Sequence, residues 1–572
     1  MNSTQVGGTT FKERESISPW ILGLAALLLC LVVPPIFYLL KTSVYTTEAD
    51  GSFGVFTLEN YAALLESDHT LEDLANSLIF AFGSAILAIS GGLLQAWIVE
   101  RTDAPLRQYV FLVSIISLGI PHVLYTGAWL LILGRNGPLN LLLMALTGSR
   151  EPLFDVYSMT GMILIEGMLW MPLAFLLMGN VFRNMDGAFE DAAMMSGASL
   201  LQTLRRITLP LAVPGLLALF LLIFIRAFEA FDIPALIGSV GDVMVLSTQI
   251  FASIRKELPS NFGQAGSFSI VLMMIVVFLL WVQRRILAQG EKFQTVTGKG
   301  YRPRVKQLGS WRYVATGLLV TITILLLILP LGMIALISLV PFYDGLSETM
   351  LSRISLQNYS LAFSNPHFRT AIFNTLLYAF GTATFVALMT TGSAWMSARR
   401  LRGSLLLEQL TSAPLAFPAI VLGVAFMQTF LNMPIAIYGT LISLVIASTV
   451  QYLPYGMRFS HSAAMQIHRE LEEAGASAGA TRFQIFLRIV LPLLMPVVLM
   501  SWLFVVLLCV RGVALPILLA GPNSQVVSVM LYDLWVNGQV NELAAFGILW
   551  SAIMIGVGVC LYILSRKTGV RL

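Results

Sequence analysis

Runs of about 20 mostly apolar residues recur along the chain, each long enough to carry an α-helix across the roughly 30 Å hydrocarbon core of a bilayer. Lipid offers no partner to backbone N–H and C=O groups, so such a run must satisfy them internally, as a helix does. Twelve runs qualify. In the N-terminal part they fall near Trp20 to Leu40, Leu74 to Val99, Tyr109 to Leu133, Tyr157 to Phe182, Leu209 to Ala235 and Ser267 to Val282. In the C-terminal part they fall near Tyr313 to Val340, Ala371 to Ala398, Leu405 to Leu431, Tyr438 to Phe459, Ile489 to Leu519 and Leu543 to Leu564. The expectation is an all-α polytopic membrane protein. Charged residues make up 11% of the chain, against roughly 25% in an average soluble domain, which excludes an ordinary soluble enzyme. A formal net charge of +4 over 572 residues leaves no basic surplus for a nucleic-acid partner. Cys30, Cys509 and Cys560 lie inside apolar runs and outside metal-ligand spacing, so neither a disulfide framework nor a zinc site is indicated.

Lys and Arg in short loops set orientation, because the cytoplasmic loops carry the excess. The stretch from Arg284 to Arg312 holds Arg284, Arg285, Lys292, Lys299, Arg302, Arg304, Lys306 and Arg312 against Glu291 and is expected in the cytoplasm. Residues 41–73 hold Lys41 against Glu48, Asp50, Glu59, Glu66, Asp68, Glu72 and Asp73, which suits the opposite side. An even number of spans then puts both termini in the cytoplasm, in keeping with Arg566, Lys567 and Arg571. The first apolar run is read as an anchor, since no small-residue cleavage site follows it.

The chain repeats itself. Leu58-Glu59-Asn60-Tyr61 recurs as Leu356-Gln357-Asn358-Tyr359, Asn76-Ser77-Leu78 as Asn374-Thr375-Leu376, and Trp97 as Trp395, all at an offset of 298. Farther on, Pro172, Gly197, Pro210 and Pro234 match Pro454, Gly479, Pro492 and Pro516 at an offset of 282. The difference falls in a longer loop of the first half, around Gly134 to Asp155. Six spans per copy make this a parallel repeat about an axis along the membrane normal, unlike the inverted repeats of many ion-coupled carriers. The layout expected is a cytoplasmic segment over residues 1–18, a first unit over 19–288, a basic linker over 289–311, a second unit over 312–566 and a tail over 567–572.

Between the fourth and fifth spans of each unit lies a polar segment too long for a turn and too charged for lipid. The first, within residues 186–210, runs through Glu190-Asp191-Ala192-Ala193 and Gly197 to Ile207-Thr208-Leu209-Pro210. The second, within 468–492, runs through Glu472-Glu473-Ala474-Gly475 and Gly479 to Ile489-Val490-Leu491-Pro492. In each, Gly stands thirteen residues before Pro, implying a small-residue helix, a sharp bend at Gly and an amphipathic limb leading into the next span.

This pattern resembles the EAA loop of the permeases of binding-protein-dependent ATP-binding-cassette importers. Asp191 stands where the family pattern has Glu in the first copy, and Gly475 stands in the place of the second Ala in the second, so that a carboxylate is kept at Asp191 and Glu473. The resemblance implies a type I permease fold in which each loop forms a coupling helix seated on an ATPase subunit. On this reading Glu190, Asp191, Ala192, Ala193 and Gly197, with Glu472, Glu473, Ala474 and Gly479, make the coupling contacts. The chain itself has no phosphate-binding loop, because Gly298-Lys299 lacks the following Ser or Thr and the preceding Gly. ATP and Mg would therefore sit on a separate ATPase, present in two copies, and an external solute-binding protein would deliver the cargo. No cofactor is expected on this chain.

Ionisable residues at bilayer depth cost several kcal/mol unless paired or hydrated, so each is a functional candidate. Glu166, Arg226, Glu229, Asp232 and Arg511 qualify, with His122 beside Pro121 as a further candidate for the pathway. Glu229 and Arg511 are equivalent at the 282 offset, and one expectation is that they pair across the two units as part of a gate. The other is that each pairs within its own half, as Arg226 would with Glu229 one helical turn on. Phe228-Glu229-Ala230-Phe231-Asp232-Ile233-Pro234, with the tandem layout, is most similar to ferric-iron importer permeases. Similar chains carry aminoalkylphosphonates or thiamine, and related unfused ones carry polyamines. A secondary transporter is the alternative class; it would need no paired coupling loops. An enzyme lacks support, because the five histidines form no metal-ligand pair and no nucleophile has a neighbouring base.

Overall fold

The computed structural model describes residues 19–48, 50–185, 188–257, 259–290, 305–343, 345, 350 and 352–568. The N-terminal segment, residues 186–187 at the head of the first polar loop, most of the linker with Gly298, Gly300 and Pro303, and the last four residues lie outside them. Among the described residues the architecture is all-α apart from a small antiparallel hairpin, Tyr45–Thr47 with Phe53–Phe56, in the acidic stretch after the first helix.

The two units fold alike, and the repeated residues do the same work in each. Asn60 donates its side-chain amide to the carbonyls of Ser43 and Tyr45 at 3.1 and 3.2 Å, and Asn358 donates to those of Ser338 and Val340 at 3.0 and 2.7 Å. Each asparagine thus occupies the orphan carbonyls where the unit's first helix ends. Tyr61 and Tyr359 reach the hydroxyls of Ser43 and Ser338 at 2.9 and 2.7 Å. Asn76 and Asn374 tie down the loop that follows the fifth span through the carbonyls of Met244 and Asn523, while Ser77 and Thr375 accept from the amides of Leu246 and Val527, both at 2.9 Å. Because Asn358 is buried, Asn358→Leu strands the Ser338 carbonyl, while Val340 O keeps its bond from Asn541 Nδ2 at 2.7 Å. We expect a loss of about 1 to 3 kcal/mol, read as a lowered melting temperature in detergent, while the exposed Asn537→Leu leaves it unchanged.

Each unit is built on a long crossing, Asp68–Arg101 against Met159–Asn184 and Pro366–Ala398 against Leu441–Gln466. The first helix of each unit crosses to the other. Pro19–Val44 packs on Ser404–Ser412 and Ala419–Asn432 of the second unit, and Leu329–Ser338 packs on His122–Leu133 of the first. Trp20 stacks on Phe483 with ring centroids 5.0 Å apart.

Three features depart from the twelve regular spans expected. Among the described residues ten helices are long and apolar enough to cross a membrane, or eleven when one bent pair counts as a span. The segment from Tyr438 does form a 26-residue helix, Leu441–Gln466, of spanning length; Ser443, Ser448, Thr449, Gln451, Tyr452 and Arg458 lower its hydropathy. The third segment of each unit is broken. Arg107–Leu118 gives way to His122–Leu133 at Pro121, and Ser404–Ala416 to Ala419–Asn432 at Pro418, the latter with a bend of 109°. Proline lacks the N–H that would continue the ladder and pushes the preceding residue to extended backbone, as at Phe417 with φ −104° and ψ 113°. The fifth span likewise stops short of Ala235 and Leu519: its helices are Leu209–Phe228 and Leu491–Arg511, followed by the short Pro234–Gly238 and Pro516–Leu519.

Candidate functional site

Two constellations hold the candidate residues: a polar cluster where the two units meet, and the pair of polar loops at one end of the bundle.

The helix breaks create the cluster. With the third span interrupted at Pro121, the carbonyl of Leu118 is left at a helix end and His122 begins the next helix. Arg511, last residue of the second unit's fifth-span helix, fills that gap: its guanidinium donates to Leu118 O at 2.7 Å and meets His122 Nε2. A cation at a helix C-terminus is favoured by the helix dipole as well. His122 Nδ1 lies 2.7 Å from Asp232 Oδ2, so the imidazole bridges a carboxylate of the first unit and a guanidinium of the second. Trp170 donates its indole N–H to Glu166 at 2.7 Å and stands edge-on to His122. Glu166 is buried within electrostatic range of Asp232 and Arg511.

Arg226 makes the reciprocal connection from the first unit to the second. It pairs with Glu229 at 2.5 Å and donates to the Tyr455 hydroxyl at 2.6 Å. Glu229 and Arg511 therefore do not pair with each other. The helix ends at Phe228 and leaves Glu229 as its C-cap residue, one turn from Arg226, which its carboxylate meets. Sequence equivalence puts Glu229 and Arg511 at matching places, and it is silent on which partners their side chains reach. Trp170 and Tyr455 carried no sequence signal; they are apolar-looking positions within spans.

In both polar loops a short helix, Ala188–Met195 or Arg469–Ser477, stops at a glycine in the left-handed region, Gly197 at φ +85° and Gly479 at φ +84°. Ala198 N returns to Ala193 O and Ala480 N to Gly475 O, at 3.0 and 3.1 Å, closing a Schellman-type cap that a Cβ would strain. Ser199 with Gln202 and Thr481 with Gln484 then cap the next turn reciprocally. That limb runs through a π turn, Leu204–Thr208 or Phe486–Val490, straight into the fifth span. The π turn absorbs the hydrogen bond that Pro210 or Pro492 cannot make. At Gly475, the position equivalent to Ala193, a Cβ would stand 2.7 Å from Ile489 Cδ1, so an alanine there would need that side-chain end to shift.

The first carboxylate of each loop points inward. Glu190 is 3% exposed, accepts from Thr208 Oγ1 at 2.8 Å, and faces Lys306 Nζ at 3.2 Å and Arg101 Nε at 3.7 Å. Glu472 accepts from Arg399 Nε at 2.7 Å and from the Trp395 indole at 3.3 Å. Arg101 and Arg399, themselves 298 apart, also bond the carbonyls of Phe182 and Ile467, both at 2.9 Å. This departs from the expectation for Glu190: its buried carboxylate tethers the loop to the second span through Arg101 and is turned away from the loop's outer face. The arginines were findable, since they keep the repeat offset; Lys306 was not. The outer faces are Ala192, Met194, Met195 and Gly197 in one loop and Glu473, Ala474 and Gly479 in the other, with Asp191, Ala193 and Glu472 half-buried. Phe189 and Leu471 are exposed at equivalent positions, an apolar knob on each loop.

A tandem pair of such units with a polar loop before each fifth span is the arrangement of a two-unit membrane permease. Residues 88–286 and 390–568 each match the family described as the binding-protein-dependent transport system inner membrane component, and the chain belongs to that family. It is a fused, multi-pass inner-membrane permease of an ATP-binding-cassette importer. It is 25% identical over 512 residues to the ferric transport system permease protein FbpB of Actinobacillus pleuropneumoniae, covering 88% of this chain and 72% of that one. With a putative ferric transport system permease protein FbpB 1 of Haemophilus influenzae it shares 27% identity, over 83% and 74% of the two chains. The spermidine/putrescine permease protein PotB of Salmonella typhimurium is 28% identical over 46% of this chain and 91% of its own length.

Proposed function

We propose that the chain carries ferric iron across the inner membrane, driven by two copies of a separate ATPase seated on its two polar loops and supplied by a periplasmic solute-binding protein. The observation that carries the cargo is coverage. The ferric permeases match across both units, whereas the polyamine permease matches a single unit's length. Both loops, the linker and both termini face the cytoplasm on this reading, following the basic residues of the linker. ATP and Mg belong to the ATPase, and the permease is non-catalytic.

In the mechanism this reading supports, Asp191, Ala192, Ala193 and Gly197 with Glu473, Ala474 and Gly479 present the coupling surfaces, and Glu190 and Glu472 hold those surfaces to the second spans. Because each loop is continuous with a fifth-span helix, a shift of the loop moves the helix whose far end carries Arg226 and Glu229, or Arg511. Those ends are the inter-unit clasps, so the gate made of Glu166, His122, Asp232 and Arg511, with Arg226, Glu229 and Tyr455, opens when the fifth spans part. The test is uptake of radiolabelled ferric iron and of spermidine by cells that express the permease with its neighbouring ATPase and binding protein. Iron uptake that requires ATP supports the proposal; spermidine uptake without iron uptake overturns the cargo, and ATP-independent uptake of either overturns the coupling.

A further inference from the structure

A cavity of 620 Å³ lies between Leu441–Gln466 and Leu491–Arg511, beside the second polar loop. One wall carries Arg458, Ser462 and Gln466. Their four-residue spacing stacks them on one helical face, and His468 extends the stripe past the helix end. The opposite wall is apolar, with Leu493 and Pro496, and no Asp or Glu lines the cavity. Arg458 stands roughly 12 Å along the axis from the end of its helix at Gln466, at 1.5 Å per residue, and one residue before the end of the apolar run at Phe459.

Arg458 has no ion-pair partner among the described residues, and what lies within its electrostatic range is Tyr455 and two further arginines, Arg226 and Arg284. Arg226 is matched by Glu229; Arg284, on the last helix of the first unit, has no acidic partner among the described residues. Arg458 thus offers an exposed, unmatched guanidinium to a cavity that no acidic residue lines. The planar fork of Arg458 suits the two oxygens of a phosphate or carboxylate, Ser462 and Gln466 supply neutral donors beside it, and the apolar wall takes an organic portion.

We propose that this cavity is an oxyanion site on the cytoplasmic side of the gate, taking a phosphate or carboxylate group. Two sources share that chemistry: an anion that leaves with the cargo, and the headgroup of an anionic lipid. The first source rests on the importer reading above, and it deepens it. On that reading a bare trivalent cation is repelled by Arg458, so ferric iron passes this point in company with an anion.

The test measures binding without transport. Full-length permease, stripped of lipid in neutral detergent, is dialysed to equilibrium against radiolabelled inorganic phosphate, and Arg458→Gln is compared with wild type and with Arg150→Gln, a substitution in an exposed loop. In parallel, each protein is returned to nanodiscs of phosphatidylcholine containing phosphatidylglycerol, and retained anionic lipid is counted by mass spectrometry. Saturable phosphate binding weakened at least tenfold by Arg458→Gln and unchanged by Arg150→Gln supports the site with a free anion as its ligand. Retention of phosphatidylglycerol lost in Arg458→Gln, without phosphate binding, supports the site with lipid as its ligand. Equal behaviour of all three proteins in both arms overturns it. Ser462→Trp fills the cavity with Arg458 intact and is expected to give the same loss, which keeps the test decisive if Arg458→Gln does not fold. Failure of iron uptake with phosphate binding intact would remove the cargo reading and leave the site standing.

Discussion

Arg511→Met is expected to reduce transport to below a tenth of wild type while ATP hydrolysis by the assembled complex continues. The side chain fills the gap at the broken third span, satisfies the Leu118 carbonyl and meets the imidazole that holds Asp232. Methionine keeps most of the volume and removes the charge. Asp232 and Glu166 then share a buried region with no cation opposite, and removal of one partner from a buried ionic group costs about 3 to 5 kcal/mol. On the proposed reading of this cluster as the gate, that cost falls on the closed state, so the gate loses its defined closed position and hydrolysis is no longer tied to passage. Uptake into proteoliposomes, measured beside phosphate release, checks this. Asp232→Asn added to Arg511→Met removes the unmatched carboxylate and is expected to recover thermal stability but not transport. Exchanging Glu229 and Arg511 is not expected to restore activity, because each residue has its own partner.

Glu190→Ala is expected to have the second large effect. Lys306 and Arg101 converge on this carboxylate, and both are nearly buried, with side chains 10% and 2% exposed. Without Glu190 two like charges face each other with no counter-ion, again a cost of about 3 to 5 kcal/mol, and the helix Ala188–Met195 loses its tie to Thr208. Hydrogen exchange across residues 188–203 should rise by more than tenfold, and ATP-driven transport should fall in step. Glu472→Ala should be milder, since Arg399 is the single cation there and Glu472 is more exposed. Lys306 comes from the described C-terminal end of the linker, and its own backbone is also bonded to Arg101 and Asp103. The first loop is therefore anchored by a residue that the second has no counterpart for.

The repeat, the membrane segments and the two loops were legible in the sequence because each depends on local pattern. Apolar runs report burial in lipid, and Asn60, Asn76 and their partners 298 residues on report a helix end and a loop that must be tied twice. The glycines at 197 and 479 report a left-handed cap. What the sequence did not disclose depends on side chains meeting across the fold. Pro121 and Pro418 were visible, yet nothing nearby said that the gap at Pro121 would receive Arg511 from 389 residues away. Glu190 looked like a docking residue because its motif is a docking motif; its burial follows from Arg101 and Lys306, which lie on other elements. Arg226 with Glu229 was readable from spacing alone, while Tyr455 in the same contact was not.

The central claim is that two equivalent loops in one chain each seat an ATPase. Single cysteines at Ala192 and at Ala474, both on exposed faces, can be placed in the full-length permease after Cys30, Cys509 and Cys560 are replaced by serine or alanine, and the protein purified with its ATPase. Photo-crosslinking from each site and native mass spectrometry of the complex then count the partners. The account predicts a crosslink to the ATPase from both positions and two ATPase copies per permease. A crosslink from neither position, or a permease that transports with no ATPase bound, would contradict it.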